Sequence, residues 1–344
     1  MRLAALLLLF STTTWAPHIG PLWADVGSAP AATQPPHAPY EYFRVGAPHN
    51  IAVHPRAGYA LMGGGTDLDE AFRWLCDRAD GGDFLILRAA GTDDYNPYLQ
   101  HLCHLNSVAT LITLNRTASG NHFVIDTIAH ASAIFIAGGD QARYINFWQG
   151  TPVEAALRDA VRRGIPIGGT SAGLAVLGQY IYSAQNDPPD GPDLTSEAAL
   201  ANPFNRQVVI ARDLFGIPIL RGIITDTHFD TRHREGRLLV FMARILQSGQ
   251  AKTIRAIGVD ERNAVLVDPD GHAQVVGKKD GEADFYEASG KPSQCEPGKP
   301  LSLDVVSDTP VHTGFQFDIR SWSKRESGAS LEVRAGKITF HPSL

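Results

Sequence analysis

From residue 59 onward the apolar positions fall into short runs divided by segments of helical spacing. Tyr59-Ala60-Leu61-Met62 is a run of strand length, stopped by Gly63-Gly64-Gly65. Leu68, Ala71, Phe72 and Leu75 then recur at the intervals of one helix face. Thr66 or Asp67 is placed to cap that helix, because a side-chain oxygen there accepts from unpaired first-turn N–H groups. Buried-strand runs follow at residues 84–87, 109–114 and 133–137. Residues 153–163 are helical in pattern, Ile165-Pro166-Ile167 and Ile223-Ile224 read as strands, and residues 234–246 as a long helix. Strands alternating with helices predict an α/β fold: a three-layer, doubly wound, mostly parallel sheet. Such sheets bind ligands beyond the carboxyl ends of their strands. The tail differs. Residues 256–259, 264–267 and 273–276 are short strands, with Pro269-Asp270-Gly271 as a turn. The expected organisation is an α/β domain over 41–277 and a β-rich extension over 278–344 packed on the sheet.

The N-terminus departs from this pattern. Met1-Arg2 is followed by an unbroken apolar stretch from Leu3 to Phe10, then polar and small residues as far as Leu22-Trp23-Ala24. That is the layout of a secretory signal peptide over 1–24, and residues 25–40 are an Ala/Pro-rich linker. The expected location is secreted or periplasmic, with no membrane attachment after cleavage. No apolar run reaches the roughly 20 residues that span a bilayer.

Composition narrows the class. The 344 residues are 44% hydrophobic and 19% charged, enough apolar material for a core and unlike a disordered chain. A net charge of -6 argues against a nucleic-acid partner, which requires clustered Lys and Arg. Cys76, Cys103 and Cys295 are an odd set: one bridge is compatible with export, and spacing does not choose the pair. His101-Leu102-Cys103-His104 has metal-ligand residue types, but no second cluster completes a ligand set, so no metal is expected.

Three strand ends carry candidate chemistry. Gly169-Thr170-Ser171-Ala172-Gly173 stands between an apolar strand and the helix-compatible Leu174-Ala175-Val176-Leu177. In that context G-x-S-x-G presents a strained nucleophilic serine. The Ala172 N–H is then a natural oxyanion donor. The same residues also suit a plain small-residue turn. Ala137-Gly138-Gly139-Asp140-Gln141 closes another apolar run. Its glycines can offer backbone N–H groups and its polar pair can grip a substrate amide, although a turn with an Asp cap uses the same residues. Asp226-Thr227-His228-Phe229 is followed by Arg232, Arg234 and Arg237. His228 is a candidate base, since its pKa lies near neutrality. The arginines suit carboxylate recognition or a solvated helix face. Asp187, Asp190, Asp193, Glu197 and Asp213 are all available to orient the base, and spacing does not choose among them. Gly258-Val259-Asp260-Glu261 ends a further strand with an acid pair.

Taken in order over residues 60–265, these four blocks resemble cyanophycinase and the related aspartyl dipeptidases, serine peptidases on a class I glutamine amidotransferase-like α/β fold. The resemblance implies Ser171 as nucleophile, His228 as base, and Gly139 and Ala172 as oxyanion donors. It implies a substrate pocket formed by Gln141, Asp226, Arg232, Arg234, Arg237 and Glu261. That family carries its third catalytic residue as a Glu shortly before Asn-Pro; Glu197 precedes Asn202-Pro203, which implies Glu197. Residues 186–195 look like an insertion, and Thr227 stands where the family usually has Gln.

The expected reaction is hydrolysis of β-aspartyl peptide bonds through an acyl-enzyme, without a cofactor. The substrate would be an aspartyl/arginyl peptide, cyanophycin yielding β-Asp-Arg. A dipeptidase for Asp-X or isoAsp-X peptides shares the same chemistry and differs only in substrate profile. A non-catalytic exported binding protein would fail to label with a fluorophosphonate. An α/β-hydrolase esterase shares the Ser171 motif but not the arginine block. The oligomeric state stays open, a homodimer included.

Overall fold

The computed structural model describes residues 38–188, 191–323 and 329–341. The expected signal peptide and nearly all of the linker lie outside them. The chain runs through β1 (Tyr40–Gly46), β2 (Tyr59–Met62), α1 (Asp69–Arg78), β3 (Asp83–Arg88), α2 (Tyr95–Leu102) and β4 (Ser107–Thr113). It continues through α3 (His122–Ala129), β5 (Ala133–Ile136), α4 (Gln141–Trp148), α5 (Pro152–Arg162), β6 (Ile167–Thr170) and the single turn α6 (Ala172–Ala175). Then come β7 (Tyr180–Tyr182), α7 (Ser196–Ala201), β8 (Ile210–Arg212), β9 (Ile223–Thr227) and α8 (Glu235–Gln247). The rest is strand: β10 (Thr253–Val259), β11 (Asn263–Val267), β12 (His272–Gly277), β13 (Glu282–Ser289), β14 (Leu303–His312), β15 (Gln316–Asp318), β16 (Ala329–Arg334) and β17 (Lys337–His341).

Among the described residues nine strands form one sheet, ordered β1-β4-β3-β5-β6-β2-β11-β12-β15, and eight form a second, β17-β16-β14-β13-β10-β9-β7-β8. The heart of each is parallel: β4, β3, β5, β6 and β2 in the first, β10, β9 and β7 in the second. Alternation along the strands sends successive side chains to opposite faces. Phe84, Ile86 and Phe135 pack with Phe72, Leu75 and Leu99 of α1 and α2. Leu85, Leu87, Ile134 and Ile136 pack with α3, α4 and α5 through Val124, Trp148 and Leu157. That second cluster also contains Ile257, Val259 and Phe285 of the other sheet, whose opposite face is covered by α8 through Leu239, Phe241 and Ile245. Helices therefore cover both faces of the parallel strands, as the alternating pattern predicts.

Several local expectations are corrected. The N-cap of α1 is Leu68, which offers no side-chain cap. Asp67 instead accepts a hydrogen bond from Tyr95 Oη at 2.5 Å, so its carboxylate ties the loop to α2 rather than closing α1. The strand entering the Ser171 turn starts at Ile167 rather than Ile165 and runs through Gly168-Gly169 to Thr170. β1, which the apolar pattern did not mark, pairs antiparallel with β4. Residues beyond Gly277 pack on the first sheet through Phe285 and Val311, which share a core cluster with Val265 and Val275, and they also lengthen the sheets. β13 hydrogen-bonds to β10, and β15 to β12, so the tail extends both sheets edge to edge. Cys76 and Cys103 form a disulfide, which takes Cys103 out of any metal site, and Cys295 is free and buried.

Candidate active site

Every block singled out above lies at the carboxyl end of a parallel strand: Gly63 after β2, Gly139 after β5, Ser171 after β6, His228 after β9 and Glu261 after β10. Parallel strands bring these ends to one edge, where side chains distant in sequence meet.

Ser171 sits at φ 52°, ψ -120°, a conformation that an L-residue adopts at a cost of about 1–3 kcal/mol. The flanking glycines make this turn possible. A Cβ on Gly169 would stand 2.5 Å from the Gly173 backbone, and one on Gly173 would overlap the Ile136 carbonyl. The Gly-x-Ser-x-Gly spacing thus reflects two backbone contacts that admit no side chain. His228 is also held at positive φ, 47°. Its Nε2 lies 2.7 Å from Ser171 Oγ. Thr225 Oγ1 donates to Leu174 O at 3.0 Å, which pins the short helix after the serine to the strand that carries the histidine.

The third member is where the structure departs from the sequence reading. His228 Nδ1 faces Glu261 Oε1 at 2.6 Å. Glu197 is exposed on α7 and lines a different cavity, so it does not orient His228. The other acids of that interval are engaged elsewhere. Asp187 accepts from Tyr182 Oη, Asp193 from Arg232 and Arg234, and Asp213 from the Gly216 N–H. Asp190 lies outside the described residues. The Glu261 pairing also explains the adjoining acid. Asp260 accepts from Thr231 N–H, Thr231 Oγ1 and Lys278 Nζ, and so clamps the loop after His228 to the end of β10.

The three glycines after β2 do more than end a strand. The Met62 carbonyl accepts from Ser171 N–H, the Gly63 carbonyl from His228 N–H, and the Gly64 carbonyl from Arg262 N–H. One loop therefore ties together the backbones of the serine, the histidine and the residue after the glutamate. A Cβ on Gly64 would strike the His228 ring, and one on Gly65 would stand 2.9 Å from Glu261 Oε2. Sequence inspection missed this role. The run of three glycines at a strand end was its only signal.

Burial holds His228 below its ordinary pKa. The Glu261 hydrogen bond acts in the opposite direction, while the Arg232 and Arg234 charges lower it further. The imidazole is thus neutral at neutral pH, with Nδ1–H directed to the carboxylate and Nε2 free to accept the serine proton.

A cavity of about 510 Å³ opens over the serine. Gly139, Gln141, Ala172, Arg232, Arg234 and Arg237 all line it with Ser171 and His228. Tyr144 Oη donates to the Ala137 carbonyl at 2.8 Å and fixes the glycine pair at the end of β5. Asp140 caps α4 by accepting from Ala142 N–H, the structural use weighed for it, and it also lines the cavity. Arg237 Nε and Nη2 grip the two oxygens of Asp226 at 2.8 and 2.5 Å, both residues being buried. Asp226 is therefore absorbed by this fork beneath the cavity and does not line it, contrary to the pocket role the resemblance implied. Arg234 donates to the Thr227 carbonyl and hydroxyl, so Thr227 orients an arginine. Asp193, in the segment read as an insertion, joins Arg232 and Arg234 and holds both at the cavity wall.

The fold and its strand-end site define an α/β peptidase. A solved structure of a peptidase from an acI-B1 Actinobacterium superposes with a TM-score of 0.50 over 77% of this chain and 98% of that one, at 17% identity, which speaks for the fold alone. The model of "Peptidase family S51" matches residues 61–275, and the chain belongs to that family of serine-type peptidases. Among curated relatives, a cyanophycinase of Geminocystis herdmanii is 31% identical over 176 residues, 49% of this chain and 57% of that protein. One of Synechococcus elongatus is 28% identical over 248 residues, 67% of this chain and 70% of the relative. A third, of Trichormus variabilis, is 32% identical over 43% of each chain. The chain thus spans about half the length of two of these three relatives.

Proposed function

We propose that this chain is an exported serine peptidase that cleaves β-aspartyl peptide bonds, with cyanophycin as substrate and β-Asp-Arg as product. The observation that carries the reading is the continuous relay Ser171 Oγ–His228 Nε2–Glu261 Oε1, at 2.7 and 2.6 Å. In this reading His228 accepts the Ser171 proton as Oγ attacks the scissile carbonyl, and Glu261 stabilises the imidazolium that forms. The N–H groups of Ala172 and Gly139 receive the oxyanion. His228 returns the proton to the leaving amine, the acyl-enzyme forms, and water activated by the same histidine releases the acid.

The substrate assignment is supported by the names of the relatives and by the cavity's two signs of charge. Arg232 and Arg234 suit aspartyl carboxylates. Asp187 and Asp140, on the same cavity, suit a guanidinium. Export is supported by the apolar N-terminal stretch and by the Cys76–Cys103 disulfide, a bond of oxidising compartments. No helix of the described residues is long and apolar enough to cross a membrane.

The test is release of Asp-Arg from purified cyanophycin by wild type and Ser171→Ala, with Asp-X and isoAsp-X dipeptides as comparison substrates. Wild type alone should release the dipeptide. Equal release by Ser171→Ala would remove the serine from the mechanism, and turnover of small dipeptides without polymer would move the substrate class.

A further inference from the structure

The segment that carries the base also borders a second cavity. It has a volume of about 630 Å³ and is lined by Asp230, Glu235, Glu282, Asp284 and Tyr286 among others. Asp230, Glu282 and Asp284 each place a carboxylate oxygen within 4.8 Å of the other two. Close acids alone prove little, since exposed carboxylates often crowd together without a ligand. Asp284 is different. It is 7% exposed, it lines the cavity, and its carboxylate has no hydrogen bond or ion pair among the described residues.

Its position sharpens the point. On β13 the neighbours Ala283 and Phe285 enter one core cluster, and Tyr286 and Ala288 enter the other. Asp284 takes an inward-facing place on a strand whose other inward positions are filled by apolar or aromatic side chains. A buried carboxylate without a partner is costly, and here its surroundings are acidic. Burial pushes the Asp284 carboxyl well above its usual range, and the neighbouring acids push it further. Burial raises Asp230 and Glu235 as well. Two of the neighbours are partly engaged: Glu235 accepts from Tyr286 Oη at 3.1 Å, and one oxygen of Glu282 faces His312 Nδ1 at 3.1 Å. The Asp230 carboxylate is also without a partner among the described residues, but it is exposed, whereas Asp284 is buried.

The ligand class follows from the donor set. Three converging carboxylates carry more charge than one guanidinium or ammonium neutralises, and a guanidinium fork engages a carboxylate pair at most. Oxygen donors without nitrogen or sulfur select a hard cation. Donor oxygens up to about 4.8 Å apart fit bonds of about 2.3–2.6 Å to a shared centre, the range of calcium, and the open cavity leaves room for water to complete the shell. We propose that Asp230, Glu282 and Asp284 form a divalent-cation site of the calcium type. Asp230 lies two residues beyond His228, so occupancy braces the segment that presents the base. The proposal stands apart from the substrate assignment.

The test uses the full chain. Calcium chloride is titrated from zero to about 10 mM, roughly tenfold above the weakest range of such sites, while the melting temperature is followed. Terbium luminescence, sensitised by Tyr286 at the cavity wall, reports binding directly. The expected result is a saturable rise in Tm of wild type and a terbium signal that calcium displaces. Asp284→Asn and Glu282→Gln should lose both while circular dichroism shows an intact fold. Glu282 is half-buried, so its variant carries the comparison if Asp284→Asn does not fold. Three results overturn the proposal: no response of wild type to calcium or terbium, an undiminished response in the folded variants, or stabilisation by arginine amide with none by calcium.

Discussion

Replacing Glu261 with Gln removes one charge from behind the proposed base and changes little else. Glutamine keeps the shape and an acceptor oxygen, so the ring can still be held in the tautomer that leaves Nε2 free. What is lost is the attraction between a carboxylate and the imidazolium formed as Ser171 is deprotonated. The contact is 2.6 Å, which puts the charge centres about 4 Å apart, and at an effective dielectric of about 20 their attraction is about 4 kcal/mol. That corresponds to about 10³ in rate. Glu261 is 28% exposed, and solvent screening brings the expected loss in kcat to between about 10² and 10³. The assay is initial-rate hydrolysis of cyanophycin by wild type, Glu261→Gln and Glu197→Gln, each checked for an unchanged melting temperature. Glu197→Gln should stay within about twofold, because that side chain is exposed on α7 and lines the other cavity. The reasoning is refuted if Glu261→Gln retains activity within about threefold of wild type, or if the two variants exchange places.

Further predictions concern the surroundings of the relay. His228 titrates below its ordinary value of 6.5, so activity should persist under pH 6.5 and fall only as the ring protonates at lower pH; Arg232→Gln removes a neighbouring cation and should move the acid limb of the kcat/KM profile to higher pH. Gly64→Ala should abolish turnover and lower stability by at least about 1–2 kcal/mol in urea melts, since φ is +109° and the added carbon meets the His228 ring. Arg237→Ala removes the bidentate partner of buried Asp226, leaving it the more distant Arg234 at 3.8 Å and the Thr227 N–H, and should cost about 3 kcal/mol by the same measurement, against a smaller loss for the double variant that also carries Asp226→Asn. Reducing the Cys76–Cys103 bridge, or Cys76→Ser, reopens a loop with a sequence separation of 27 and should lower stability by about 3–4 kcal/mol.

Much of this protein is legible in local pattern. Period-two apolar runs and helical spacing respond to burial over a few residues, so the core strands and the long helices over 152–162 and 235–247 fall within a residue or two of the positions their patterns predict. Ser171 and His228 stand out for a similar reason. A strained serine between glycines, and a histidine at a strand end before arginines, leave their marks within five residues. Partnership across the sheets leaves no such mark. Glu197 and Glu261 are both single acids near plausible anchors, and the chain order of strands says nothing about which of the two reaches His228. That was decided when β9 and β10 paired in parallel and set both of their ends at one edge. The same holds for the Gly63-Gly64-Gly65 loop, which reads as a stop signal until the serine and histidine backbones are seen bonded to it. It holds for Asp226, which looks like a pocket residue until Arg237 closes over it. It holds too for the disulfide, since three cysteines permit three pairings and only the packing of α1 against the end of α2 brings Cys76 to Cys103. Sequence alone specified the elements and the two residues, Ser171 and His228, whose side chains meet at the strand ends. The acid behind them, the loop that aligns them and the fate of each charge were settled by which strand ends lie side by side, because hydrogen bonds and ion pairs depend on distance in space and not on separation along the chain.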